Sequence, residues 1–126
     1  MQLTNPRPLS DAEKKITLLL LSREFPGAQE LRAQVDHAQV VGECDCGCPT
    51  IDIEVAEAAP RSLPQSGAGP LPYEGSVASD GEDPAGGIIL FSSDGYINSL
   101  EYYPMRDPSP PDWPDLTRIE VVGPLR

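Results

Sequence analysis

Apolar side chains recur every three or four positions in the first third of the chain, which is the pattern of amphipathic helices. Ser10 precedes Glu13 by three residues, and this spacing predicts a capping box at the start of the first helix. The dipeptide Phe25-Pro26 predicts the end of that helix, because the residue before a proline is driven away from helical backbone angles. A second short amphipathic helix is predicted over residues 26–37.

After the helices, the apolar spacing changes to two, which is the pattern of β-strands. Residues 40–55 alternate around a turn-like segment and predict a β-hairpin whose loop spans residues 46–49. With that loop length, Glu43 is predicted to lie directly opposite Asp52. Like charges in such a position destabilise a sheet, so we expect another charged group to neutralise them.

A second hairpin is predicted over residues 87–103, because Asp94-Gly95 is a strong signal for a two-residue turn. Residues 57–86 are rich in proline and glycine and predict a long loop, which a strand over 71–77 would interrupt. A last edge strand is predicted at 119–122.

These elements predict an α+β fold in which two N-terminal helices pack on one face of a mainly antiparallel sheet of four to five strands. Residues 1–8 are polar and contain prolines, and they predict a flexible tail. Residues 9–126 are then expected to form a single domain, because about 120 residues is an ordinary domain length.

Charge is distributed unevenly along the chain, whose net charge is -11. Residues 1–39 carry five basic and five acidic side chains, whereas residues 40–126 carry four basic and fifteen acidic ones. A nucleic-acid-binding protein needs clustered lysine and arginine, so this composition argues against nucleic acid as a partner. The acidic sheet half favours a basic protein as the partner, and a merely solvated acidic surface is the alternative.

The candidate partner-binding residues are the carboxylates predicted on one face of the first hairpin, namely Glu43, Asp45, Asp52 and Glu54. They lead to the first hypothesis for function, a small acidic protein-binding module that engages a basic partner through an acidic sheet face. Such a complex would form fast and depend strongly on salt.

Three cysteines, Cys44, Cys46 and Cys48, occupy alternate positions, and the single histidine, His37, precedes them by seven residues. Thiolates and imidazole suit zinc, so a Cys₃His zinc site is the alternative function. The spacing departs from the CxxC pattern of zinc knuckles. The competing interpretation therefore places Cys44 in the apolar packing and leaves Cys46 and Cys48 in the loop without a cofactor.

The sequence gives little support to an enzyme or to a membrane protein. A nucleophilic cysteine needs a base held by a third group, and the motifs of nucleotide and metalloprotease sites are missing, so the chain is interpreted as a non-enzyme. The longest unbroken apolar run, at residues 18–21, is far shorter than the roughly 20 residues of a membrane span. Without a signal-peptide pattern or a disulfide framework, we expect a cytoplasmic protein.

The segment CDCGCPTIDI and, some forty residues later, DGYINSLEYY are similar to motifs in a family of small acidic bacterial proteins without an assigned function. The resemblance covers residues 16–103 and implies two helices before a cysteine-bearing hairpin and a DG-turn hairpin. By size, acidity and fold class, the chain also resembles immunity proteins that neutralise basic nuclease toxins. Neither resemblance supplies a catalytic residue.

Overall fold

The computed structural model describes residues 2–106 and 110–124. It contains two α-helices, α1 (Asp11–Leu20) and α2 (Ala28–Gln34), and α2 continues into a 3₁₀ turn, Val35–His37. The strands are β1 (Gln2–Pro8), β2 (Ala38–Glu43), β3 (Ile51–Val55), β4 (Ala68–Pro70), β5 (Glu74–Val77), β6 (Gly86–Ser93), β7 (Tyr96–Pro104) and β8 (Ile119–Val122). Further 3₁₀ turns lie at Leu63–Gln65 and Leu116–Arg118.

All eight strands belong to one antiparallel sheet with the order β1-β2-β3-β7-β6-β5-β8, and β4 pairs with β6 beside this path. The α+β class is confirmed, but the predicted four to five strands are too few. The additional strands are short or polar, so neither β1 nor β4 carries an alternating apolar pattern that sequence analysis could detect.

The N-terminal segment differs from the predicted flexible tail, because Gln2–Pro8 forms strand β1 at the edge of the sheet. Its pairing with β2 is interrupted between Gln2 and Arg7. Two prolines are tolerated there because an edge strand needs hydrogen bonds on one side only. Some positions of the predicted tail, domain and proline-rich segment lie outside the described residues, namely Met1, 107–109 and 125–126.

The capping box is confirmed, since the Ser10 hydroxyl accepts the Glu13 N–H at 3.1 Å and the Glu13 carboxylate accepts the Ser10 N–H at 2.8 Å. Both helices are shorter than predicted. The first ends at Leu20, five residues before Phe25, and the second begins only after Gly27, whose φ of 86° is left-handed. A Cβ atom at Gly27 would also lie within 2.1 Å of the Ser62 hydroxyl, so only glycine fits here.

The second hairpin forms as predicted, with Ser93 opposite Tyr96 and a two-residue turn between them. Asp94 and Gly95 both have positive φ, 55° and 86°, which is the geometry that suits a tight hairpin turn. The predicted edge strand at 119–122 is also present as β8. The predicted loop at 57–86 contains β4 and β5 and the start of β6, and β5 lies within the suggested 71–77 segment.

The two faces of the sheet differ. Buried apolar side chains from both helices and from β2, β3, β5, β6 and β7 form one cluster on the face that the helices cover. A Cβ atom at Gly75 of β5 would lie 3.4 Å from Leu20 Cδ2, so α1 packs directly on the strands. We call the opposite side the helix-free face; it carries the outward side chains of β3, β5, β6, β7 and β8. None of the helices in the described part of the chain is long and apolar enough to cross a membrane.

Gln34, the last residue of α2, is completely buried and connects the helix to the second hairpin. Its amide nitrogen donates to the carbonyl oxygens of Gly95 and Pro60, both at 2.8 Å, and its amide oxygen accepts the Ile97 N–H at 3.0 Å. The helix, the hairpin turn and the loop before β4 are therefore held by one side chain.

Replacement of Gln34 by alanine should lower the free energy of unfolding by about 3 kcal/mol, because it leaves several buried backbone groups without partners. Urea unfolding followed by circular dichroism measures the loss. Gln39→Ala, at an exposed position of β2, is the control and should change stability by less than about 0.5 kcal/mol. Equal effects of the two substitutions would contradict this role of Gln34.

Candidate functional site

The three cysteines lie in the connection between β2 and β3, residues 44–50, which we call the cysteine loop. Its ends are closed by a hydrogen bond from the Cys44 N–H to the Thr50 carbonyl at 3.2 Å. The Thr50 hydroxyl accepts the Tyr102 N–H at 2.9 Å, which ties the loop to β7. The loop therefore begins and ends on two paired strands of the sheet.

Gly47 reverses the chain between the second and third cysteine. Its φ of 95° is in the left-handed region, where glycine carries no steric penalty. No atom lies within 4 Å of the position that a Cβ atom would occupy, so the backbone angle rather than a lack of space favours glycine here. This turn returns Cys48 towards Cys46.

The three sulfur atoms converge, and all lie within 4.8 Å of one another. Cys44 and Cys46 form a disulfide, with their Cα atoms 5.4 Å apart, and Cys48 is a free thiol whose sulfur lies 2.9 Å from Cys46 Sγ. Cys46 is exposed, whereas Cys44 and Cys48 are partly buried. This is the single group in the described part of the chain that brings three metal-ligating side chains together.

Two backbone amides point at the sulfurs. The Cys46 N–H donates to Cys44 Sγ and the Cys48 N–H donates to Cys46 Sγ, each at 3.4 Å. The loop backbone therefore places one donor beside each of these two sulfurs.

His37 does not join the sulfurs. It is exposed in the 3₁₀ turn before β2, and its carbonyl accepts the Ala56 N–H at the far end of the first hairpin. The six residues of β2 separate it from the cysteine loop, a span of about 20 Å at the rise of a strand. The predicted Cys₃His set is thus reduced to three thiols.

The predicted register of the first hairpin is wrong, because Asp52 lies opposite Gly42 and Glu43 lies opposite Ile51. Before the bulge that lies between Val40 and Gly42, the pairing differs from the prediction by two residues, which leaves Val40 on its predicted face. The bulge adds one residue to β2 and turns the later side chains of that strand to the other face. Glu43 therefore points to the same face as Ile51, away from Asp52.

The four candidate carboxylates accordingly separate into three locations. Asp52 and Glu54 are exposed two residues apart on the helix-free face. Asp45 is exposed in the cysteine loop, and Glu43 is partly buried beside Arg7. The structure brings only Asp52 and Glu54 together.

A charge network that the sequence did not reveal borders the cysteine loop. Arg7 of β1 donates Nη1 and Nη2 to the two carboxylate oxygens of Glu13, at 2.9 and 3.1 Å, and donates Nε to Glu43 at 3.1 Å. Trp113 Nε1 donates to the same Glu13 carboxylate at 3.2 Å. The capping box identified Glu13, but Arg7 lay in the predicted tail, and nothing local connects Trp113 to either residue.

Glu13 is ionised within this network although only 4% of its surface is exposed. Burial alone would raise the pKa of this carboxyl group, but the hydrogen bonds from Arg7, the Ser10 amide and Trp113, together with the charge of Arg7, bring its pKa below the usual value. The same pairing, mainly with Glu13, raises the pKa of Arg7.

A cleft of about 530 Å³ lies between this network and the cysteine loop. Its lining includes Cys44 and Cys48 of the cysteine loop and Arg7, Glu43 and Trp113 of the network. Two of the three sulfur-bearing residues therefore border a cavity large enough for a small ligand.

The helix-free face is acidic and partly aromatic. Its outward carboxylates, placed by the strand registers, are Asp52, Glu54, Glu74, Glu101 and Glu120. Strands β2 to β8 contain no lysine or arginine.

The ring of Tyr103 lies across Gly87, in the space that a Cβ atom at position 87 would need. The Tyr103 hydroxyl donates a hydrogen bond to Glu74 at 2.5 Å. Burial, and then the bond to Glu74, raises the pKa of Tyr103 to about 12.

Comparison with protein-family models, with curated proteins and with solved structures finds no match to this chain.

Glu13→Gln should lower the free energy of unfolding by about 2 kcal/mol at pH 7, because a charge-assisted set of buried hydrogen bonds is lost. The pKa of Glu13 is lowered in the folded state, so its stabilisation is present above the unfolded pKa and disappears as the pH falls through the folded value. Urea unfolding at a series of pH values should show the two proteins converging in acid.

Glu57→Gln is the matched control, since Glu57 is exposed. It should follow the wild type across the whole pH range. A constant difference between Glu13→Gln and the wild type, independent of pH, would show that the ionised carboxylate is not what stabilises this corner.

Proposed function

We propose that the reduced protein binds a single soft metal ion, of which zinc is the leading choice, through the thiolates of Cys44, Cys46 and Cys48. The convergence of three sulfurs within 4.8 Å on one anchored loop carries this proposal. Thiolates select soft or borderline ions such as Zn²⁺ and Cu⁺ over Mg²⁺ and Ca²⁺. The cytoplasm that the sequence predicts would keep the cysteines reduced.

Three protein ligands leave one position of a tetrahedral zinc ion open, as in zinc sites that bind an exchangeable fourth ligand. The cleft beside Cys44 and Cys48 would give such a ligand access to the ion. This arrangement supports an exchangeable metal rather than one that only holds the fold together. The strands and the Glu13 network already position the loop without it.

Zinc added to the reduced protein should bind with a stoichiometry of one ion per chain, detected by native mass spectrometry. Co²⁺ in the same site should give the intense charge-transfer absorption of thiolate ligands. The triple Cys→Ser variant should bind neither ion, and His37→Ala should bind both as the wild type does, since His37 lies about 20 Å away. Metal binding that survives the loss of all three thiols would refute the proposal.

The acidic protein-binding module is the second candidate function, and the helix-free face supports it. Asp52, Glu54 and Glu101 project from adjacent strands and have no ion pair or hydrogen-bonding side chain within residues 2–106 and 110–124. A groove of about 490 Å³ on this face contains Asp52, Glu101 and Phe91. A largely polar groove with two carboxylates and one aromatic ring suits a basic protein segment, and a toxin recognised by an immunity protein is one form of such a partner.

A lysine-rich peptide should bind this face and shift the backbone NMR signals of β3 and β7, and the shifts should fade as salt is raised from about 0.05 to 0.5 M. The double variant Asp52→Lys, Glu101→Lys should weaken association by roughly tenfold or more. Asp36→Lys, in the 3₁₀ turn beyond α2, is the control and should have little effect. Shifts confined to other surfaces, or binding that ignores salt, would contradict this function.

A further inference from the structure

We infer that the cysteine loop also carries out two-electron thiol–disulfide exchange with small aliphatic disulfides, with Cys46 as the central sulfur. The inference deepens the proposed metal site, because it supplies a way to release the ion. It rests on where the three sulfurs lie relative to one another and to solvent.

Cys46 has two partners within the loop. It is joined to Cys44 in a disulfide, and the free thiol of Cys48 lies 2.9 Å from its sulfur on the other side. Thiol–disulfide exchange proceeds by attack of a thiolate on one sulfur of a disulfide, with the other sulfur leaving as a thiolate. Attack of Cys48 on Cys46 Sγ therefore forms the Cys46–Cys48 disulfide and frees Cys44, with no external oxidant.

The solvent exposure of each cysteine indicates its role in the reaction with an external disulfide. Cys46 is the exposed cysteine, whereas Cys44 and Cys48 are partly buried and line the cleft. The reduced Cys46 thiolate attacks a disulfide RSSR, forms the mixed disulfide Cys46–S–S–R and expels one RS⁻, which takes up a proton. Cys44 or Cys48 then attacks Cys46 Sγ and expels the second RS⁻.

The balance is one RSSR consumed and two RSH formed for each pair of loop cysteines oxidised to a disulfide. Because a disulfide joins only two of the three sulfurs, one thiol remains, at Cys44 or at Cys48. One thiol cannot replace three thiolates around a metal ion, so oxidation of the loop should release zinc.

The test oxidises reduced, metal-free protein with hydroxyethyl disulfide and counts the mercaptoethanol released, which should be two equivalents per chain. Alkylation of the product with iodoacetamide, followed by peptide mass spectrometry, should find the label on Cys44 or Cys48 and not on Cys46. Label on Cys46 in the oxidised product, or no second equivalent of mercaptoethanol, would overturn the inference.

Single substitutions distinguish the role of Cys46 from the roles of Cys44 and Cys48. Cys44→Ser and Cys48→Ser each keep Cys46 and one partner, and both should still close an intraloop disulfide. The Cys46→Ser variant should form its intraloop disulfide at least about tenfold more slowly, because it lacks the neighbouring sulfur that accelerates the attack on the mixed disulfide. Equal closure rates in all three variants would remove any special role of Cys46. Circular dichroism verifies that each variant is folded.

A parallel measurement starts from zinc-loaded protein and follows released zinc with a chromogenic chelator. Zinc should appear together with the mercaptoethanol. If zinc never binds, the proposed metal function fails while the exchange result still decides this inference. If zinc binds but remains bound after two equivalents of mercaptoethanol have formed, its release by oxidation is disproved.

Discussion

The carboxylate of Glu13 is the constraint on which the site depends, because it is a buried charge that must be neutralised by groups from distant parts of the chain. Ser10 supplies a backbone N–H, Arg7 supplies two donors from the edge strand, and Trp113 supplies an indole N–H from the C-terminal segment. Through Nε, Arg7 also donates to Glu43, the residue before the first cysteine. One ionised group thus joins the first strand, the first helix and the C-terminal segment beside the cysteine loop, and forms a wall of the cleft.

The proximity of the three sulfurs in the cysteine loop depends on how the loop is attached to the sheet. Thr50 and its bonds to β7 fix one end of the loop, and the left-handed turn at Gly47 brings the third sulfur back to the second. The three thiols are then neighbours in either oxidation state. The proposed metal binding and the inferred disulfide exchange would both depend on this proximity, because the sulfurs could share an ion when reduced and would share one disulfide when oxidised.

Charge on the sheet is divided between its two sides for a physical reason. The carboxylate on the helix side, Glu43, is beside an arginine, whereas Asp52, Glu54 and Glu101 lie on the helix-free face, where the strands provide no cation. The same arginine is required by Glu13, the buried carboxylate on that side, whereas carboxylates that are exposed to solvent require no partner. The outward carboxylates and the three sulfurs are therefore different sets of side chains and can be substituted independently, although Thr50 of the cysteine loop also lines the groove beside Asp52.

The sequence by itself determined the features that depend on neighbouring residues: the capping box at Ser10, the Asp94-Gly95 turn, the alternating strands and the α+β class. It also marked the three cysteines as neighbours in the sequence, but the convergence of their sulfurs depends on the left-handed turn at Gly47. Only the tertiary structure decided the face to which Glu43 points, because a single bulged residue reverses the alternation. It likewise decided that residues 2–8 form a strand and that Arg7 and Trp113 meet at Glu13, since a polar edge strand and contacts across a hundred residues leave no periodic pattern in the chain.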